Sequence, residues 1–550
     1  MTYSSARRWN GSRWNAGNAC VVAWLMLVAP SLAASLVWTG GVAGVWQNGA
    51  AGWLNGGSPA NWNNATPDDA VFGGLGTGTV TVDAGGVTAG AVSVTQGVYT
   101  VTGSGVLTLS GGAWLVGPAV TTTVSAALGG SAGLAKTGSG ELSLSGTNKN
   151  YTGPTSISGG VIRITATGSG SLGTTATNGV SLNGGALHAL FAANVNVSNF
   201  IAVGASGGEL RNLGNDSQRW QMIANRITGS GTLTLSFGGN NTRFTMASSQ
   251  TGFTGRWIVD SGGNQNRFVD LSNSGAFGGS AGDDAITFQN SGAVLFRNNV
   301  NLGSTTQGIT LGSGQTKIEI AGTSTGTVAG KISGPATNSV QFYLGNASSA
   351  MLLANTNNNW AGETTLNAAA GFGTLRLGAA GVVPDTGGVV HVTSAARLDL
   401  NGFTERIGGL GGAGRIDNML AGSSATLIVG ANNGSTNFTG SMTNSGAGAT
   451  LNIAKVGSGT WTLQSTNLYY GGTLSISGGV VVLTTTTNGS LGATTTNAVV
   501  INGAGLHGSF SNTAFFFNPV VIGAAGAELR NLGDDTQRWL FYQIGRASCR

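Results

Sequence analysis

A long internal duplication constrains the fold of this chain more than any other feature of its sequence. Residues 136–220 align without a gap to residues 455–539, with 44 identities in 85 positions. Each copy contains short runs in which apolar residues alternate with Ser or Thr, and Gly or Asn bounds each run. Alternation with a period of two indicates strands, and repeated strands and turns are typical of stacked repeat proteins. The sequence therefore predicts an all-β solenoid.

The same rhythm extends over residues 80–543 and sets the expected size of the solenoid. A coil of three short strands takes about 20 to 25 residues, so this region predicts on the order of 20 stacked coils. The composition agrees, because 97 of the 550 residues are Gly and only 24 are basic and 19 acidic. Glycine supplies the positive φ that sharp corners between strands require.

Both ends of the chain depart from this pattern. Residues 1–33 are predicted to be a secretory signal peptide, because Arg7 and Arg8 precede the apolar run Val21–Ala29 and a small-x-small cleavage site ends at Ala33. Residues 544–550 resemble a translated sequencing adapter, so we expect them to be non-native and the natural protein to continue beyond this sequence.

Charge and cysteine content narrow the expected partners and chemistry. The formal net charge is +5, but without residues 1–33 and 544–550 the chain has 19 basic and 19 acidic residues. A neutral chain gives no electrostatic reason to bind nucleic acid or anionic lipid. Both cysteines, Cys20 and Cys549, lie in those ends. We therefore expect no disulfide, thiol nucleophile or thiolate metal site in the mature chain.

A family resemblance rests on one segment of each copy. Residues 138–153 followed by Thr155–Val161, and the second copy from Gly457, are similar to the autotransporter-associated β-strand repeat of bacterial passenger proteins. The resemblance implies a right-handed parallel β-helix over residues 80–543, displayed at the cell surface. It also implies that the membrane is reached only through a C-terminal region outside this sequence. We expect an exported passenger or stalk, outer membrane-associated or extracellular, with a structural, adhesive or display role.

Residues 34–79 are predicted to form an N-terminal cap. This segment contains Trp38, Trp46, Trp53 and Trp62, spaced among Gly and Asn. Exposed tryptophans could form a platform that stacks against sugars, whereas buried ones would plug the open edge of the first coil. An uncovered sheet edge invites aggregation, so we favour the plug.

Few residues offer a basis for catalysis. A serine nucleophile needs a nearby base, and the chain has only His188, His391 and His507. The rival hypothesis is a carbohydrate-active β-helix, a polysaccharide lyase or hydrolase that uses paired carboxylates such as Asp283 and Asp284. Adjacent residues on a strand point to opposite faces, so such a pair alone makes no site. We expect no enzymatic activity, no cofactor and no metal site.

One polar segment recurs in both copies and is the candidate binding surface, with surface glycans or other cell-surface proteins as its partners. The segments Glu209–Trp220 and Glu528–Trp539 concentrate charge and Trp in a chain that has few charged residues. The candidate residues are Arg211, Arg219, Trp220, Arg530, Arg538 and Trp539. The alternative, which we favour, is a structural turn. It predicts that both copies share one geometry, that Trp220 is buried, and that an arginine meets a carboxylate in the same or the adjacent coil.

Overall fold

The computed structural model describes residues 33–546, apart from residues 42, 75, 167–170, 175–177, 192, 197, 198, 216, 217, 223, 486–490, 493–496, 535, 536, 542 and 543. The predicted signal peptide up to residue 32 and the last four residues of the predicted adapter tail lie outside the described residues.

Alternating apolar and polar residues form 57 short strands in the described chain. The first are β1 (Ser35–Trp38), β2 (Ala43–Trp46), β3 (Trp53–Asn55), β4 (Ser58–Ala60), β5 (Asp69–Phe72), β6 (Thr77–Val82), β7 (Val87–Val94), β8 (Val98–Gly103), β9 (Val106–Val116), β10 (Thr121–Val124), β11 (Ala127–Gly129), β12 (Leu134–Thr137), β13 (Glu141–Leu144), β14 (Thr155–Ile157), β15 (Val161–Ile164), β16 (Val180–Leu182), β17 (Gly185–Ala189), β18 (Val195–Asn196), β19 (Ile201–Val203) and β20 (Gly208–Asn212). The middle strands are β21 (Trp220–Met222), β22 (Ile227–Gly229), β23 (Leu233–Phe237), β24 (Arg243–Met246), β25 (Trp257–Asp260), β26 (Phe268–Leu271), β27 (Gly282–Gln289), β28 (Ala293–Phe296), β29 (Val300–Leu302), β30 (Gln307–Leu311), β31 (Gln315–Ile320), β32 (Thr325–Val328), β33 (Ile332–Ser333), β34 (Ser339–Leu344), β35 (Ala350–Leu353), β36 (Thr364–Ala368), β37 (Gly373–Leu377), β38 (Val389–Val392) and β39 (Ala396–Asp399). The last are β40 (Thr404–Ile407), β41 (Gly409–Gly412), β42 (Arg415–Asp417), β43 (Ser424–Val429), β44 (Thr436–Phe438), β45 (Ser441–Thr443), β46 (Thr450–Lys455), β47 (Thr460–Leu463), β48 (Leu468–Tyr469), β49 (Leu474–Ile476), β50 (Val480–Leu483), β51 (Val499–Ile501), β52 (Ala504–Gly508), β53 (Ala514–Phe516), β54 (Val520–Ile522), β55 (Ala527–Asn531), β56 (Trp539–Phe541) and β57 (Ile544–Arg546).

The strands stack into long sheets that run along the solenoid. A 12-stranded sheet follows the order β22-β19-β16-β14-β12-β9-β7-β5-β1-β3-β4, with β11 beside β9. A 13-stranded sheet runs β2-β6-β8-β10-β13-β15-β17-β20-β23-β25-β27-β30-β33, and a 15-stranded sheet runs β18-β21-β24-β26-β28-β31-β34-β36-β38-β41-β44-β47-β50-β52-β55. The remaining sheets are β29-β32-β35-β37-β39-β42-β45-β48, β40-β43-β46-β49-β51-β54-β57 and the pair β53-β56.

Parallel pairing between successive coils confirms the predicted fold class. Glu141 pairs with Val161, and Val161 with Ala186, so neighbouring coils are 20 and 25 residues apart at this face. The described chain is all-β and forms a parallel β-solenoid of about 19 turns. No helix in its described part is long and apolar enough to cross a membrane.

The core is a stack of inward-facing aliphatic side chains. In the 13-stranded sheet, Leu142, Ile162, Leu187, Leu210 and Leu235 lie directly above one another. Each of them is buried. Burying such a side chain contributes roughly 1.5 to 3 kcal/mol, so the repeated column is the main source of stability of the rod.

The four tryptophans of the N-terminal segment fill the first coil. Trp38, Trp46, Trp53 and Trp62 are at most 5% exposed, and their rings make edge and tilted contacts with one another at centroid distances of 4.7–5.4 Å. The hairpin of β3 and β4 pairs antiparallel to β1 and ends the parallel sheet on that side. The buried rings match the plug and leave no exposed tryptophan platform for sugars in this segment.

A buried lysine closes the repeat turn in each copy. Lys136 faces the interior from β12, and its Nζ donates to the carbonyl oxygens of Thr137, Gly138 and Gly159 at 2.7, 2.8 and 3.1 Å. Lys455 makes the same three bonds at the equivalent carbonyls, at 2.6, 3.0 and 3.2 Å. The turn requires glycine, because Gly138 has φ +73° and a Cβ there would collide with the preceding coil. Burial lowers the pKa of Lys136 to about 8.

Candidate functional site

The charged half of the duplicated polar segment lies on the outer face of the 13-stranded sheet. Glu209 and Arg211 alternate with the buried Leu210 on β20. The pleat therefore places both charged side chains on one face. Arg211 lies opposite His188 of β17 on one side and Ser236 of β23 on the other. The segment is thus held between two neighbouring coils.

Glu209 is the centre of a small group of polar side chains. Its Oε1 lies 3.7 Å from Nε2 of His188 and accepts a hydrogen bond from the hydroxyl of Ser236. The pKa of Glu209 is lowered, chiefly by the interaction with His188 and against the effect of burial, while Ser236 and Arg211 lower it further. A nucleophilic serine needs the imidazole beside its hydroxyl, whereas here the carboxylate joins the two. The group is a polar ladder across three strands, in which the imidazole does not lie beside the serine hydroxyl as acyl transfer would require.

The tryptophan of the segment lies inside the solenoid. Trp220 is fully buried on β21, its ring stacked 5.4 Å from that of Phe244 and edge-on to Phe191. A buried ring cannot contact a soluble partner. Trp220 is therefore part of the core, as the structural alternative predicts.

Arg219 takes part in a charge cluster on the adjoining 15-stranded sheet. Its Nη1 lies 3.8 Å from Oδ2 of Asp270, and Arg243 and Arg297 approach the same oxygen at 3.7 and 3.1 Å. Burial raises the pKa of Asp270, although the guanidinium groups of Arg297, Arg243 and Arg219 oppose the shift. Asp270 lies on β26, two strands from β21. Asp270 therefore lies two coils from Arg219, whereas we expected the carboxylate in the same or the adjacent coil.

The second copy repeats the local geometry of the first. The amide of Asn212 donates to the carbonyl oxygen of Gln218 at 2.9 Å, and the equivalent bond from Asn531 is 2.7 Å long. The glycine two residues after each asparagine donates its backbone N–H to the asparagine side chain, at 3.0 and 3.1 Å. His507 lies 3.3 Å from Glu528, in the place of the first copy's histidine and glutamate. Residues 216 and 535, the shared aspartates, lie outside the described residues.

The two copies differ in exposure. The second copy lies in the last coil that the structure describes, so no further described coil covers it. There Arg530 and Arg538 are exposed and Trp539 is half-buried against Phe516 and Phe541, whereas Arg211 and Arg219 in the first copy are half-buried. The structure thus gives the two copies turns of the same shape, but in the first copy it places Arg211 on the 13-stranded sheet and Arg219 beside the 15-stranded sheet, and it removes Trp220 from any contact surface. Binding through the four arginines stays a prediction.

The paired aspartates of the rival enzymatic hypothesis bind cations of the protein itself. Asp283 accepts from Nζ of Lys331 at 2.7 Å, and Asp284 meets Arg256 at 2.7 Å. Within the described part of the chain, no group of three or more His, Cys, Asp and Glu is arranged to hold a metal ion. The geometry of this pair is that of two surface ion pairs, which contribute little to stability.

Sequence reasoning missed a second charged site on the eight-stranded sheet. Arg397 and Asp399 on β39 stack on Arg415 and Asp417 on β42. Nε of Arg376 donates to Asp399 at 2.7 Å, and Nε of Arg397 lies 3.8 Å from Asp417. Both aspartates are 0% exposed. The signal was present as two Arg-x-Asp triplets one coil apart, Arg-Leu-Asp and Arg-Ile-Asp.

Comparisons with known proteins agree with this architecture. The passenger-associated-transport-repeat family model matches residues 134–164 and 453–483, the two segments closed by the buried lysines. The adhesin BmaC autotransporter of Brucella suis biovar 1 (strain 1330) is 33% identical over 180 residues. That match covers 31% of this chain and 5% of the adhesin. The chain thus contains two copies of the repeat expected from its sequence, and a 180-residue stretch of it is similar to a small part of an autotransporter adhesin.

Proposed function

We propose that this chain, a passenger-type protein with the autotransporter-associated repeat, is an exported stalk that adheres at the cell surface. The observation that carries the proposal is the position of the two repeat matches. They occupy equivalent turns, each closed by a buried lysine, at two levels of one stack of parallel coils. A repeat that stacks on itself builds length rather than a closed pocket.

The dimensions of the solenoid suit a projecting stalk. About 19 turns, each rising about 4.8 Å, give a rod on the order of 90 Å long. Its long sides offer repeated Ser, Thr and Asn side chains that can meet a partner over many coils. The likeness to an adhesin supports contact with another surface, and the partners we propose are surface glycans or other cell-surface proteins.

Export and adhesion can be tested separately. Intact bacteria that express the whole natural gene are labelled with an antibody against residues 34–543, and the N-terminus of the labelled protein is sequenced. We expect surface labelling and a mature start at Ala34. Retention of an uncleaved chain inside the cell would contradict export.

Adhesion is measured with beads coated with the purified mature chain and added to cultured cells. Beads coated with the heat-unfolded chain serve as the control, since they carry the same composition without the ordered faces. We expect the folded chain alone to raise bead attachment. Equal attachment of both bead types would contradict an adhesive role. Turnover of a polyuronate that is abolished by replacing Asp283 or Asp284 would favour the enzymatic reading instead.

A further inference from the structure

A shallow groove lies on the outer face of the eight-stranded sheet, where β29, β32, β35 and β37 stack. We call it the Arg376 groove, and its volume is about 280 Å³. This volume is just below the usual range of small-molecule sites, so the groove fits a short stretch of a longer ligand. The residues that carry the argument are Asn299, Asn301, Thr325, Thr327, Leu352 and Arg376.

Strand register arranges the groove as a polar row that ends at a cation. Asn301, Thr327, Leu352 and Arg376 lie opposite one another on successive strands. Neighbouring strands are about 4.8 Å apart, so the row extends over about 14 Å, a distance that an extended chain of sugar rings can follow. Leu352 provides an apolar floor in the middle of the row.

Several polar atoms of the groove have no partner within the described residues. Asn299 Oδ1 accepts from the backbone N–H and the hydroxyl of Thr325, at 3.0 and 2.7 Å, but its amide nitrogen makes no hydrogen bond there. The side chain of Asn301 and the hydroxyl of Thr327 also make none with the part of the chain that the structure describes. Amide and hydroxyl groups of this kind suit the hydroxyls of a saccharide.

The cation of the groove is held in place by a buried carboxylate. Asp399 Oδ1 accepts the backbone N–H groups of Asn401 and Met419, each at 3.0 Å, while its Oδ2 accepts Nε of Arg376 at 2.7 Å. The side chain of Arg376 is 39% exposed, whereas that of Asp399 is 0% exposed. A guanidinium fixed through Nε keeps its remaining N–H donors for a planar anion.

The rest of this sheet has the same distribution of charge. Arg397 and Arg415 lie in one row, and the ring of Phe372 is 5.6 and 3.9 Å from their guanidinium carbons. Asp417 is as fully buried as its neighbour Asp399. The charged groups that solvent meets on the described strands of this sheet are therefore guanidinium groups. The carboxylates that balance them lie beneath the surface.

We propose that the Arg376 groove binds an anionic glycan. In this assignment Arg376 takes a carboxylate or sulfate group of the chain, and Asn299, Asn301 and Thr327 bond to neighbouring sugar hydroxyls. The inference rests on the proposed adhesive function and names the substrate class of the surface. Exposed guanidinium groups favour an anion, and the unpartnered amides and hydroxyl favour a saccharide over a bare phosphate or a lipid surface.

Calorimetric titration of the purified mature chain tests the proposal. The probes are a galacturonate hexamer, which carries carboxylates alone, a sulfated dextran oligosaccharide, which carries sulfates alone, and the neutral maltohexaose. We expect binding of at least one anionic probe, with the preferred one identifying the acidic group, and none of maltohexaose. Arg376→Gln should weaken binding roughly tenfold. Ala350→Trp, which fills the groove without changing charge, should weaken it at least as much.

The control variant is Arg406→Gln. Arg406 is an exposed arginine paired with Asp385 at 3.9 Å on a different sheet, and we expect it to leave the dissociation constant unchanged. Circular dichroism establishes that each variant is folded, and Ala350→Trp tests the groove if Arg376→Gln is unstable. An equal loss of affinity in Arg376→Gln and Arg406→Gln would show that only the overall charge matters and would overturn the site. Binding of a DNA duplex as tightly as the saccharides would overturn it as well.

The same variants separate this site from the proposed function. Bead attachment that persists in Arg376→Gln and Ala350→Trp would overturn the groove and leave adhesion standing. Failure of the unaltered chain to attach, together with tight binding of an anionic probe, would retain the groove and reject the adhesive role. Absence of binding to both anionic probes would overturn the assignment outright.

Discussion

Replacing Lys136 with Met tests whether the buried ammonium groups hold the repeat turns together. Its Nζ makes three hydrogen bonds to carbonyl oxygens at 2.7, 2.8 and 3.1 Å, and bonds from a charged donor contribute roughly 1.5 to 3 kcal/mol each. Burial opposes them, because it lowers the pKa from 10.5 to about 8. At about 1.4 kcal/mol per pKa unit this costs at most about 3 kcal/mol, since solvent beyond the turn still screens the charge. Three such bonds total about 4.5 to 9 kcal/mol, so the net loss in Lys136→Met is at least about 1.5 kcal/mol and about 3 to 4 kcal/mol at the middle of the range.

Local hydrogen exchange is the appropriate measurement, because a repeat rod unfolds in parts. Peptides covering residues 134–164 should exchange about 100-fold faster in Lys136→Met, while residues 453–483, closed by Lys455, provide an internal reference. Arg163→Val is the matched control, since the side chain of Arg163 is 35% exposed and the second copy carries a valine, Val482, at this position. We expect that variant to change exchange less than tenfold. Unchanged protection of 134–164 in Lys136→Met would refute the reasoning.

The pH dependence of the same turn has a definite direction. The pKa of Lys136 in the folded chain, about 8, is below its ordinary value of 10.5. The cost of burying the charge is therefore fully present below pH 8 and disappears as the pH rises towards about 10.5. The hydrogen-exchange protection of residues 134–164, corrected for the intrinsic exchange rate, should increase between pH 8 and 10. In Lys136→Met, the part of this increase that is due to Lys136 should disappear.

Three further predictions concern other buried groups. Burial raises the pKa of Glu405 to about 7. Its contribution to stability is therefore complete below about pH 4.5 and is lost as the pH rises through 7. Hydrogen-exchange protection around Glu405 should fall between pH 5 and 8, and Glu405→Gln should abolish this fall. Asp399→Ala should lower the free energy of local unfolding by about 1 to 3 kcal/mol, because it leaves the backbone N–H groups of Asn401 and Met419 without their acceptor. Asp284→Ala, at a half-exposed pair, should cost at most about 1 kcal/mol in urea denaturation. Trp46→Ala should lower stability by about 3 to 5 kcal/mol and speed proteolysis of the N-terminal coil. Val45→Ala, at a 50% exposed side chain, should change the rate of proteolysis little. Equal rates of proteolysis in the two variants would contradict the plug.

The fold could be predicted because its determinants are local and repeated. Alternation with a period of two identifies strands wherever it occurs, and the duplication indicates that the strands stack. The same pattern places Leu142 and Ile162 inside, and the burial of the cap tryptophans is expected because an uncovered first coil would expose a sheet edge. Both copies of the polar segment share their asparagine-centred turn because the residues that make its bonds, Asn212 and Gln218, recur in sequence.

The charged sites depend on register, which the sequence of one strand does not contain. A shift of one residue between coils would move Asp399 and Asp417 out of the same row and turn the side chains of that strand to the other face. Coils of unequal length then decide which charges meet, so Arg219 reaches Asp270 two strands away. Whether Lys136 points inward also depends on the carbonyls that the next coil presents to it. The sequence thus determined the strands, the repeat and the apolar core, and only the stacking of coils decided where the buried charges and the Arg376 groove lie.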